Sequence, residues 1–576
     1  MNIKSYFPAL DWASNYKRQF LKGDLSAGLT VGVMLIPQGM AYAMIAGLPP
    51  IYGLYASTIP LIIYAIFGTS RQLAVGPVAM VSLLTAAGIG NIAEGGTETY
   101  IALAILLAFM VGSIQFLLGA FRFGFLVNFL SHPVISGFTS AAALIIGLSQ
   151  LKHLLGVDIP RSHHVHEILI NAVQNAADIH WTTFAIGTAG IALILLAKKV
   201  SKSIPGPLLA VVFGILAVYG FGFVDSGVKI VGNVPDGLPS VGMPAINLES
   251  LQMLLPTALA ISLVSFMESI AVAKAIQSKH KDYKVVPNQE LIGLGLANIG
   301  GSFFQSYPVT GGFSRTAVND QAGAKTGLAA IISALLIVLT LLFLTPLFYY
   351  LPKAILASVI MVAVFGLIDY KEAIHLWKSN KSDFWILVTT FLATLILGIE
   401  QGIGIGVILS LAMIIYRTSK PHIAELGNVP GSMFYRNVQR FDDVKTQEDL
   451  LILRIDAQMY FANANYIRDA IDNYVQKKGQ NLNALVINAD SINNLDSSAI
   501  HSLSDLIDDL QTMDIKLMFS GVKGPVRDQM VKAHLDEKVG TDNFFMSVQE
   551  AVDDYNNQGS DVEEHKTYTM QTNVKS

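Results

Sequence analysis

Apolar segments long enough to cross a lipid bilayer recur along most of this 576-residue chain. A helical crossing takes roughly 20 apolar residues. Inside a bilayer the backbone must satisfy its own polar groups, and a helix does so within one segment. We count fourteen such segments, at approximately 24–46, 51–67, 73–90, 100–120, 130–151, 181–198, 205–224, 251–276, 287–303, 313–325, 327–349, 352–368, 383–399 and 401–416. The pattern therefore predicts an all-α polytopic membrane protein with fourteen transmembrane segments.

Basic residues are divided unequally between the loops that join these segments. With the N-terminus in the cytoplasm, the outer loops hold only Lys152, Arg161, Lys229 and Lys353. The inner loops hold Arg71, Arg122, Lys198, Lys199, Lys202, Lys274, Lys279, Lys281, Lys284, Lys325, Lys371, Lys378 and Lys381. Cytoplasmic loops of membrane proteins carry this excess of Lys and Arg. We therefore expect a multi-pass protein of the inner or plasma membrane with both termini in the cytoplasm.

The chain changes character near Pro421. Residues 1–421 hold 24 Lys and Arg against 18 Asp and Glu, a net charge of +6, whereas residues 422–576 hold 14 against 24, a net charge of −10. Short apolar strands at Leu450–Ile455, Ala484–Asn488 and Ile515–Ser520 alternate with amphipathic stretches, which is typical of a small, mainly parallel α/β domain. The predicted domains are a cytosolic lead (1–23), a transmembrane domain (24–420), a linker (421–440), the α/β domain (441–555) and a disordered tail (556–576).

A break lies within the second half of the membrane domain, at Tyr307–Asp320 (YPVTGGFSRTAVND). Gly311 and Gly312 interrupt regular structure, and Ser314 is predicted to cap the helix that follows. A break at this depth is tolerated where the backbone lines a protein or water-filled cavity. The new helix then directs its free N–H groups and its positive dipole end into that cavity, and Arg315 adds a full positive charge. These features predict an anion site.

The first half of the membrane domain contains a corresponding break. Seven segments in each half suggest an inverted repeat, in which the third segment is equivalent to the tenth. The third segment begins LAVGPVAMVS, with Gly76 and Pro77 where a helix would start. Taken alone, these two residues also fit an ordinary helix kink. Interrupted segments at equivalent positions of two halves mark the central site of a transporter, so we expect two half-helices to point their N-termini at one place near the midplane.

Polar side chains also occur inside the first and eighth segments. In the first, Pro37 interrupts the helix, and Gln38 and Tyr42 share a face one turn apart. Gln38 either contacts a ligand or fastens helices together. In the eighth, Glu268 is an intramembrane carboxylate, a kind of residue that is usually functional. It either exchanges a proton during the functional cycle or forms a structural salt bridge with Arg315.

Other groups are not expected to form a site. His163, His164 and His166 lie in a polar outer loop without carboxylates grouped beside them, so we predict no metal site there. Glu290 and Glu400 lie near predicted segment ends, where solvated charges are common. The sequence has no GxxxxGK[ST] phosphate-binding loop, no Cys and no evident nucleophile–base set. We therefore expect neither an enzyme nor a nucleotide-driven pump, no cofactor and no nucleic-acid partner.

Three stretches, PQGMAYAMIAGLPPIYGLYAS, GTSRQLAVGPVAMVS and GGFSRTAVN, together resemble the SulP family of anion transporters, also called sulfate permeases. The stretch NNLDSSAIHSL, residues 493–503, resembles the STAS domain that these transporters carry. The likeness covers nearly the whole chain. It implies a fourteen-helix inverted repeat with UraA-like core and gate domains, a dimer, and elevator-like movement of anions across the membrane.

The resemblance also implies roles for individual residues. It places a substrate between the starts of helices three and ten, against Gly76, Pro77, Val78, Ala79, Gly312, Phe313, Ser314 and Arg315. Gln38 and Tyr42 match positions that face this site. Glu268 matches an acidic position associated with proton coupling, and Glu rather than Asp there weakens the sodium site known in bicarbonate-carrying relatives. Ser497 matches a serine that is phosphorylated in anti-sigma-factor antagonists, although helix capping is the default explanation for it.

We therefore expect proton-coupled secondary transport of a small anion, with sulfate as the first choice, by a homodimer whose STAS domain binds a cytosolic protein partner. Within this class the alternatives are bicarbonate, chloride or dicarboxylate transport, coupled to protons or sodium or run as exchange. A nucleobase permease of the same fold class would gain little from Arg315. A non-transporting sensor that signals through its STAS domain is the alternative from another class.

Overall fold

The computed structural model describes residues 7–90, 92–125, 131–157, 165–200, 205–280 and 282–557, with residues 399 and 400 described for their backbone only. The chain forms two compact units, Met1–Ser410 and Leu411–Ser576. The first half of the membrane-spanning part contains α1 (Ala9–Ser14), α2 (Arg18–Ile45), α3 (Ile51–Tyr55), α4 (Ile59–Phe67), β1 (Val75–Gly76), α5 (Ala79–Gly90), α6 (Glu98–Ala120), α7 (His132–Ser149), α8 (Leu151–Leu155), α9 (Val165–Gln174), α10 (Trp181–Val200) and α11 (Gly206–Phe221).

The second half repeats this layout. It contains α12 (Leu248–Gln277), α13 (Pro287–Ser302), β2 (Thr310–Gly311), α14 (Phe313–Gln321), α15 (Leu328–Leu339), α16 (Lys353–Phe365), α17 (Tyr370–Ser379), α18 (Lys381–Leu397) and α19 (Ile399–Ser419). Each of the fourteen predicted segments contains helix, and eight of the described helical spans are long and apolar enough to cross a membrane by themselves. The prediction of a polytopic all-α membrane protein is confirmed.

Helix packing shows the inverted repeat directly. In the first half, α6 packs against α12 and α13 of the second half. Its counterpart α15 packs against α2 and α4, which are the counterparts of α12 and α13. In the same way α10 packs against α16, and α18 packs against α7. Each contact recurs with the two halves exchanged, so the helix packing has the symmetry expected of a seven-plus-seven repeat.

The α6–α13 contact depends on two glycines that face each other. A Cβ added to Gly112 would lie 2.7 Å from the carbonyl oxygen of Gly295, and one added to Gly295 would lie 2.8 Å from the carbonyl oxygen of Gly112. Small residues let membrane helices approach closely enough for dispersion forces to hold them without a hydrophobic driving force. A larger side chain at either position would push the two helices apart.

The second unit is a mixed α/β domain. Its strands are β3 (Ile423–Asn428), β4 (Tyr435–Asn437), β5 (Leu450–Ile455), β6 (Ala484–Asn488), β7 (Lys516–Ser520) and β8 (Phe544–Phe545), in the order β4-β3-β5-β6-β7-β8. Strands β5 to β8 run parallel, and β3 is antiparallel to both of its neighbours. The helices are α20 (Ala464–Lys478), α21 (Ser497–Thr512), α22 (Gly524–Lys532), α23 (Leu535–Val539) and α24 (Val548–Asn557). The predicted α/β domain is confirmed.

Both faces of this sheet are covered, because successive side chains of a strand point to opposite faces. Leu451 and Leu453 of β5 join a core with residues of α20, α21 and α22. Leu450 and Ile452 of the same strand pack on the other face with Val552 of α24. A strand buried on both faces reads as a continuous apolar run, which explains why LLILRI was recognisable in the sequence.

The prediction of a linker at residues 421–440 is wrong, because these residues contain β3 and β4. Strand β3 pairs with β5 through Ile423 and Ile455, and its hairpin with β4 pairs Leu426 with Asn437. Gly431 in the turn adopts a φ of 75°, a conformation that glycine tolerates best. The predicted tail at 556–576 also begins late, since α24 continues to Asn557, and residues 558–576 lie outside the described part of the chain.

Candidate functional site

The two predicted breaks are joined to each other by backbone hydrogen bonds. Strands β1 and β2 pair antiparallel, with Val75 opposite Gly311 and Gly76 opposite Thr310. Beyond the pair, the Gly312 N–H donates to the carbonyl oxygen of Ala74 at 3.0 Å. Buried backbone groups must find partners, and each interrupted segment supplies them to the other. The breaks are therefore one structural feature of the fold.

A helix starts directly after each strand. Helix α5 begins at Ala79, and α14 begins at Phe313 with Gly312 as its N-cap and no side-chain cap hydrogen bond. The prediction that Ser314 caps this helix is therefore wrong: Ser314 lies inside the first turn. In both helices the fourth residue is the first whose N–H donates within the helix. Ser82 N–H donates to the Val78 carbonyl in α5, and Thr316 N–H donates to the Gly312 carbonyl in α14. The preceding N–H groups are free to bind an anion.

Arg315 lies in the first turn of α14, and its guanidinium folds back towards the two strands. Its side chain is only 1% exposed. A Cβ added to Gly312 would lie 2.9 Å from Arg315 Nη2, and one added to Gly76 would lie 3.5 Å from the same atom. Arg315 Nε and Nη2 have no hydrogen-bond partner, and Arg315 forms no ion pair with any other described residue. A buried cation in this state is stabilised by a negative charge beside it.

Tyr42 of α2 and Glu268 of α12 lie close to Arg315. Tyr42, Glu268 and Tyr307 are the groups that interact with it electrostatically. Gln38 and Tyr42 are 4% and 5% exposed, and Gln38 Oε1 and Glu268 Oε2 are buried without a hydrogen-bond partner. Within the described residues Glu268 makes no salt bridge to Arg315, although the two groups interact electrostatically. Its role in proton coupling stays a prediction.

The remaining predicted residues differ in accessibility. Pro77, Val78 and Ala79 are buried where α5 begins, whereas Phe313 and Ser314 are exposed at the start of α14. The structure thus gathers the glycines, the guanidinium, Tyr42 and Glu268, and leaves Phe313 and Ser314 exposed at the start of α14.

Several residues outside the predicted set of site residues hold this arrangement in place. Asn298 of α13 is fully buried, and its side chain forms two hydrogen bonds with the backbone of Val309. The amide nitrogen donates to the Val309 carbonyl at 3.0 Å, and the amide oxygen accepts from the Val309 N–H at 2.8 Å. Ser269 Oγ accepts from the Gly311 N–H at 2.9 Å, and Thr310 Oγ1 donates to the Ser265 carbonyl at 2.7 Å. Polar residues inside apolar segments were the signal that could have identified them.

Thr316 links the two breaks through its side chain. Its hydroxyl accepts from the Ala74 N–H at 3.0 Å and donates to the Gly312 carbonyl at 2.7 Å. Replacing Thr316 by Val keeps the shape but leaves the buried Ala74 N–H unpaired, at a cost of about 1–3 kcal/mol. We expect lower thermal stability and weaker apparent substrate affinity in an uptake assay, because the strand that carries Gly76 loses its anchor.

Two variants control this experiment. Thr316→Ser keeps the hydroxyl and should behave like the wild type. Thr30→Val removes a local bond to Ser26 on α2 and should change neither stability nor affinity. Equal defects in Thr316→Val and Thr316→Ser would show that the methyl packing, and not the hydrogen bonds, matters at this position.

Glu290 contradicts its sequence interpretation as a solvated charge. It is fully buried on α13 and accepts hydrogen bonds from the Tyr64 hydroxyl (2.6 Å), the Thr69 N–H and hydroxyl (2.6 and 2.5 Å) and the Ser70 N–H (3.1 Å). Four donors compensate its buried charge. Glu290 therefore fixes the loop that leads from α4 into β1.

Ser497 lies in the second unit as the first residue of α21. The N-cap of this helix is Asp496, whose side chain accepts from the Ala499 N–H at 2.8 Å. Ser497 is therefore not the N-cap of α21, contrary to expectation. It is exposed, and regulation by its phosphorylation stays a prediction. His163 and His164 lie outside the described residues, so the prediction against a metal site stays a prediction. The side chain of Glu400 also lies outside them, so the prediction that it is solvated stays a prediction.

Two family models match this chain. The model described as the sulfate permease family matches residues 21–390. The model of the STAS domain matches residues 443–551. The first match contains both broken segments and every polar residue gathered around Arg315, and the second contains β5 to β8.

Known proteins are similar over almost the whole length. "Sulfate transporter 4.1, chloroplastic" of Arabidopsis thaliana is 42% identical over 568 residues, covering 96% of this chain and 82% of that protein. "Probable sulfate transporter 4.2" of the same plant is 41% identical, covering 98% of this chain and 86% of that protein. The structure of the murine Slc26a9 anion transporter in the inward-facing state has a TM-score of 0.88 at 25% identity, covering 96% of this chain and 94% of that one.

Proposed function

The chain belongs to the sulfate permease family and carries a STAS domain, and from this premise we propose that it transports sulfate across a membrane by secondary active transport. The coarser conclusion, transport of an anion, has the support of the sulfate transporters and the Slc26a9 anion transporter to which the chain is similar. The choice of sulfate, the coupling and the motion are inferences from the chemistry of the site.

One observation carries the proposal: the buried, unpaired guanidinium of Arg315 beside two helix N-termini. Each N-terminus contributes about half a positive charge. Together with Arg315 the field amounts to roughly two positive charges, which matches a dianion without a metal. The four oxygens of sulfate are acceptors only, so they suit a site built from backbone N–H groups and a guanidinium.

The residues around the site favour movement as one body. The proposed ligands lie on α2, on α12 and on the two broken segments that contain β1–α5 and β2–α14. The hydrogen bonds of Ser269 and Thr316 fasten α12 and the two broken segments to one another. We propose that this core, with bound anion, moves against the gate helices α7, α10, α11, α16, α18 and α19. Glu268 takes up a proton in one orientation and releases it in the other.

The test is uptake into proteoliposomes that contain the purified full-length chain. Labelled sulfate is offered under separate inward proton and sodium gradients, with bicarbonate, chloride and fumarate as competitors. We expect saturable sulfate uptake that the proton gradient drives and the sodium gradient does not. Preferential uptake of another anion would identify that anion as the substrate in place of sulfate. The absence of any anion flux in sealed vesicles would favour a sensor that signals through its STAS domain.

We further propose a homodimer in the inner or plasma membrane with both termini in the cytoplasm, and a cytosolic protein partner for the STAS domain. The excess of Lys and Arg in the predicted inner loops supports this orientation. Labelling of single introduced cysteines from either side of the membrane is a direct test, because the chain has no Cys of its own.

A further inference from the structure

A large cavity opens on the first unit, away from the two breaks. It lies between α1, the end of α4, the end of α6 and the start of α13, and its volume is ≈ 1150 Å³. Sites that enclose a small solute measure roughly 300–1,000 Å³. The cavity is therefore larger than a substrate such as sulfate requires.

One wall of the cavity is apolar. It is formed by the side chains of Phe7, Trp12, Phe67, Phe116, Ile292 and Leu296. These residues belong to or directly precede α1, α4, α6 and α13, and the last three of these helices are parts of predicted transmembrane segments. An apolar wall formed largely by predicted transmembrane helices is complementary to an acyl chain.

Three basic residues also line the cavity. Arg71 is already neutralised, because its guanidinium pairs with Asp11 and Asp282 at 3.1 Å each. Arg122 and Lys284 are exposed and form no ion pair or side-chain hydrogen bond with any residue that the structure describes. Two positive charges therefore remain uncompensated beside the apolar wall.

The backbone places these two residues at the ends of two helices that pack together, α6 and α13. Arg122 follows the last turn of α6, and the chain reverses there with a φ of 63°. The Gly124 N–H then donates to Asn288 Oδ1 of α13 at 2.8 Å, which ties the turn to the helix that Lys284 precedes. Both residues belong to the loops predicted to be cytoplasmic, so the cavity lies where headgroups of the inner leaflet lie.

We propose that this cavity binds an anionic phospholipid of the cytoplasmic leaflet, with its acyl chains on the apolar wall and its phosphate between Arg122 and Lys284. A free phosphate would satisfy the two cations but would leave the apolar wall uncovered. The cavity also borders Thr69 and Ser70, the loop that Glu290 fixes ahead of β1. A bound lipid would therefore stabilise the inner end of the body that carries the transport site.

The experiment uses Trp12 as a local probe of the cavity. Trp181, Trp377 and Trp385 are replaced by Phe in the full-length chain, since they are 71%, 51% and 58% exposed and contribute little to the core. The protein is placed in nanodiscs of phosphatidylcholine that contain increasing fractions of acyl-brominated phosphatidylglycerol, which quenches nearby tryptophan. Brominated phosphatidylcholine in a phosphatidylglycerol background is the reciprocal measurement.

We expect brominated phosphatidylglycerol to quench Trp12 at far lower mole fractions than brominated phosphatidylcholine. The double variant Arg122→Ala, Lys284→Ala should weaken the apparent affinity for phosphatidylglycerol by about 30-fold, from the usual contribution of two basic residues at a membrane surface. The matched control Lys198→Ala, Lys199→Ala removes the same charge from the predicted cytoplasmic end of α10 and should leave the preference unchanged.

Equal quenching by the two brominated lipids, or an unchanged preference in the Arg122, Lys284 double variant, would overturn the proposal. Soluble glycerol phosphate that competes at the same concentration as the lipid would also overturn it, in favour of a site for the phosphate group alone. If the single-tryptophan chain does not fold, the thermal stability of the otherwise wild-type chain in the two lipids, with and without the double substitution, measures the same preference.

Discussion

Replacing Arg315 by Ala should weaken binding of the transported anion by at least about 30-fold. Loss of one partner of a buried charge pair costs roughly 2–5 kcal/mol, and each 1.4 kcal/mol is a factor of ten in affinity. The effect is expected to lie at the upper end of this range, because Arg315 is 1% exposed and little water is available to screen the lost interaction. The measurement is the concentration dependence of sulfate uptake in proteoliposomes, with direct binding to the purified chain.

The same substitution separates function from stability. Arg315 Nε and Nη2 have no hydrogen-bond partner in the described part of the chain, so the Ala variant breaks no hydrogen bond of these atoms and removes a desolvated charge. Without ligand, its melting temperature should be at least that of the wild type. Wild type should gain stability when sulfate is added, and the variant should not.

Two further variants define what Arg315 contributes. Arg315→Lys keeps the charge but loses the planar set of donors, so we expect an intermediate affinity. Arg440→Ala removes one exposed positive charge from the second unit and should be neutral. Unchanged sulfate affinity in Arg315→Ala would show that the guanidinium does not bind the anion, and the proposed site would then consist of the helix N-termini alone.

The transmembrane fold could be predicted because its physical signal is strong and local. Fourteen apolar segments and an uneven distribution of Lys and Arg are readable residue by residue, and the breaks at Gly76 and Gly311 occur at equivalent positions of the two halves. Strand β3 escaped detection because its pattern, IAELGN, alternates weakly and its apolar residues are buried only when β5 pairs beside it. Pro430 and Gly431 between two short extended runs were an unused hairpin signal.

The candidate site was predictable as a region but not as a geometry. The sequence could not show that Gly312, rather than Ser314, caps α14, because the register was decided by pairing with Ala74 in a distant segment. It also could not show that Glu290 is buried with four donors, since these come from α4 and the loop after it, more than 200 residues away in the chain. Long-range partners of polar groups are the information that a single sequence lacks.

Replacing Glu268 by Gln should abolish the ability of a proton gradient to concentrate the anion. Each pH unit across the membrane supplies about 1.4 kcal/mol per transported proton, which corresponds to a tenfold accumulation. Wild-type uptake should therefore rise as the outside becomes more acidic than the inside, whereas the Gln variant should reach the same level on both sides at any pH difference. Gln has the size of Glu and keeps a polar group beside Arg315, so the fold should be retained.

The position of Glu268 makes this outcome specific to coupling. Its Oε2 atom is buried without a hydrogen-bond partner, and it lies within electrostatic range of Arg315 without forming an ion pair with it. A neutral side chain there leaves Arg315 free to hold the anion, so exchange of labelled for unlabelled sulfate should continue in the variant. Glu268→Asp is the matched control, because it keeps the titrating group and should retain part of the proton-driven accumulation. If Glu268→Gln still accumulates sulfate in proportion to the pH difference, another group carries the proton.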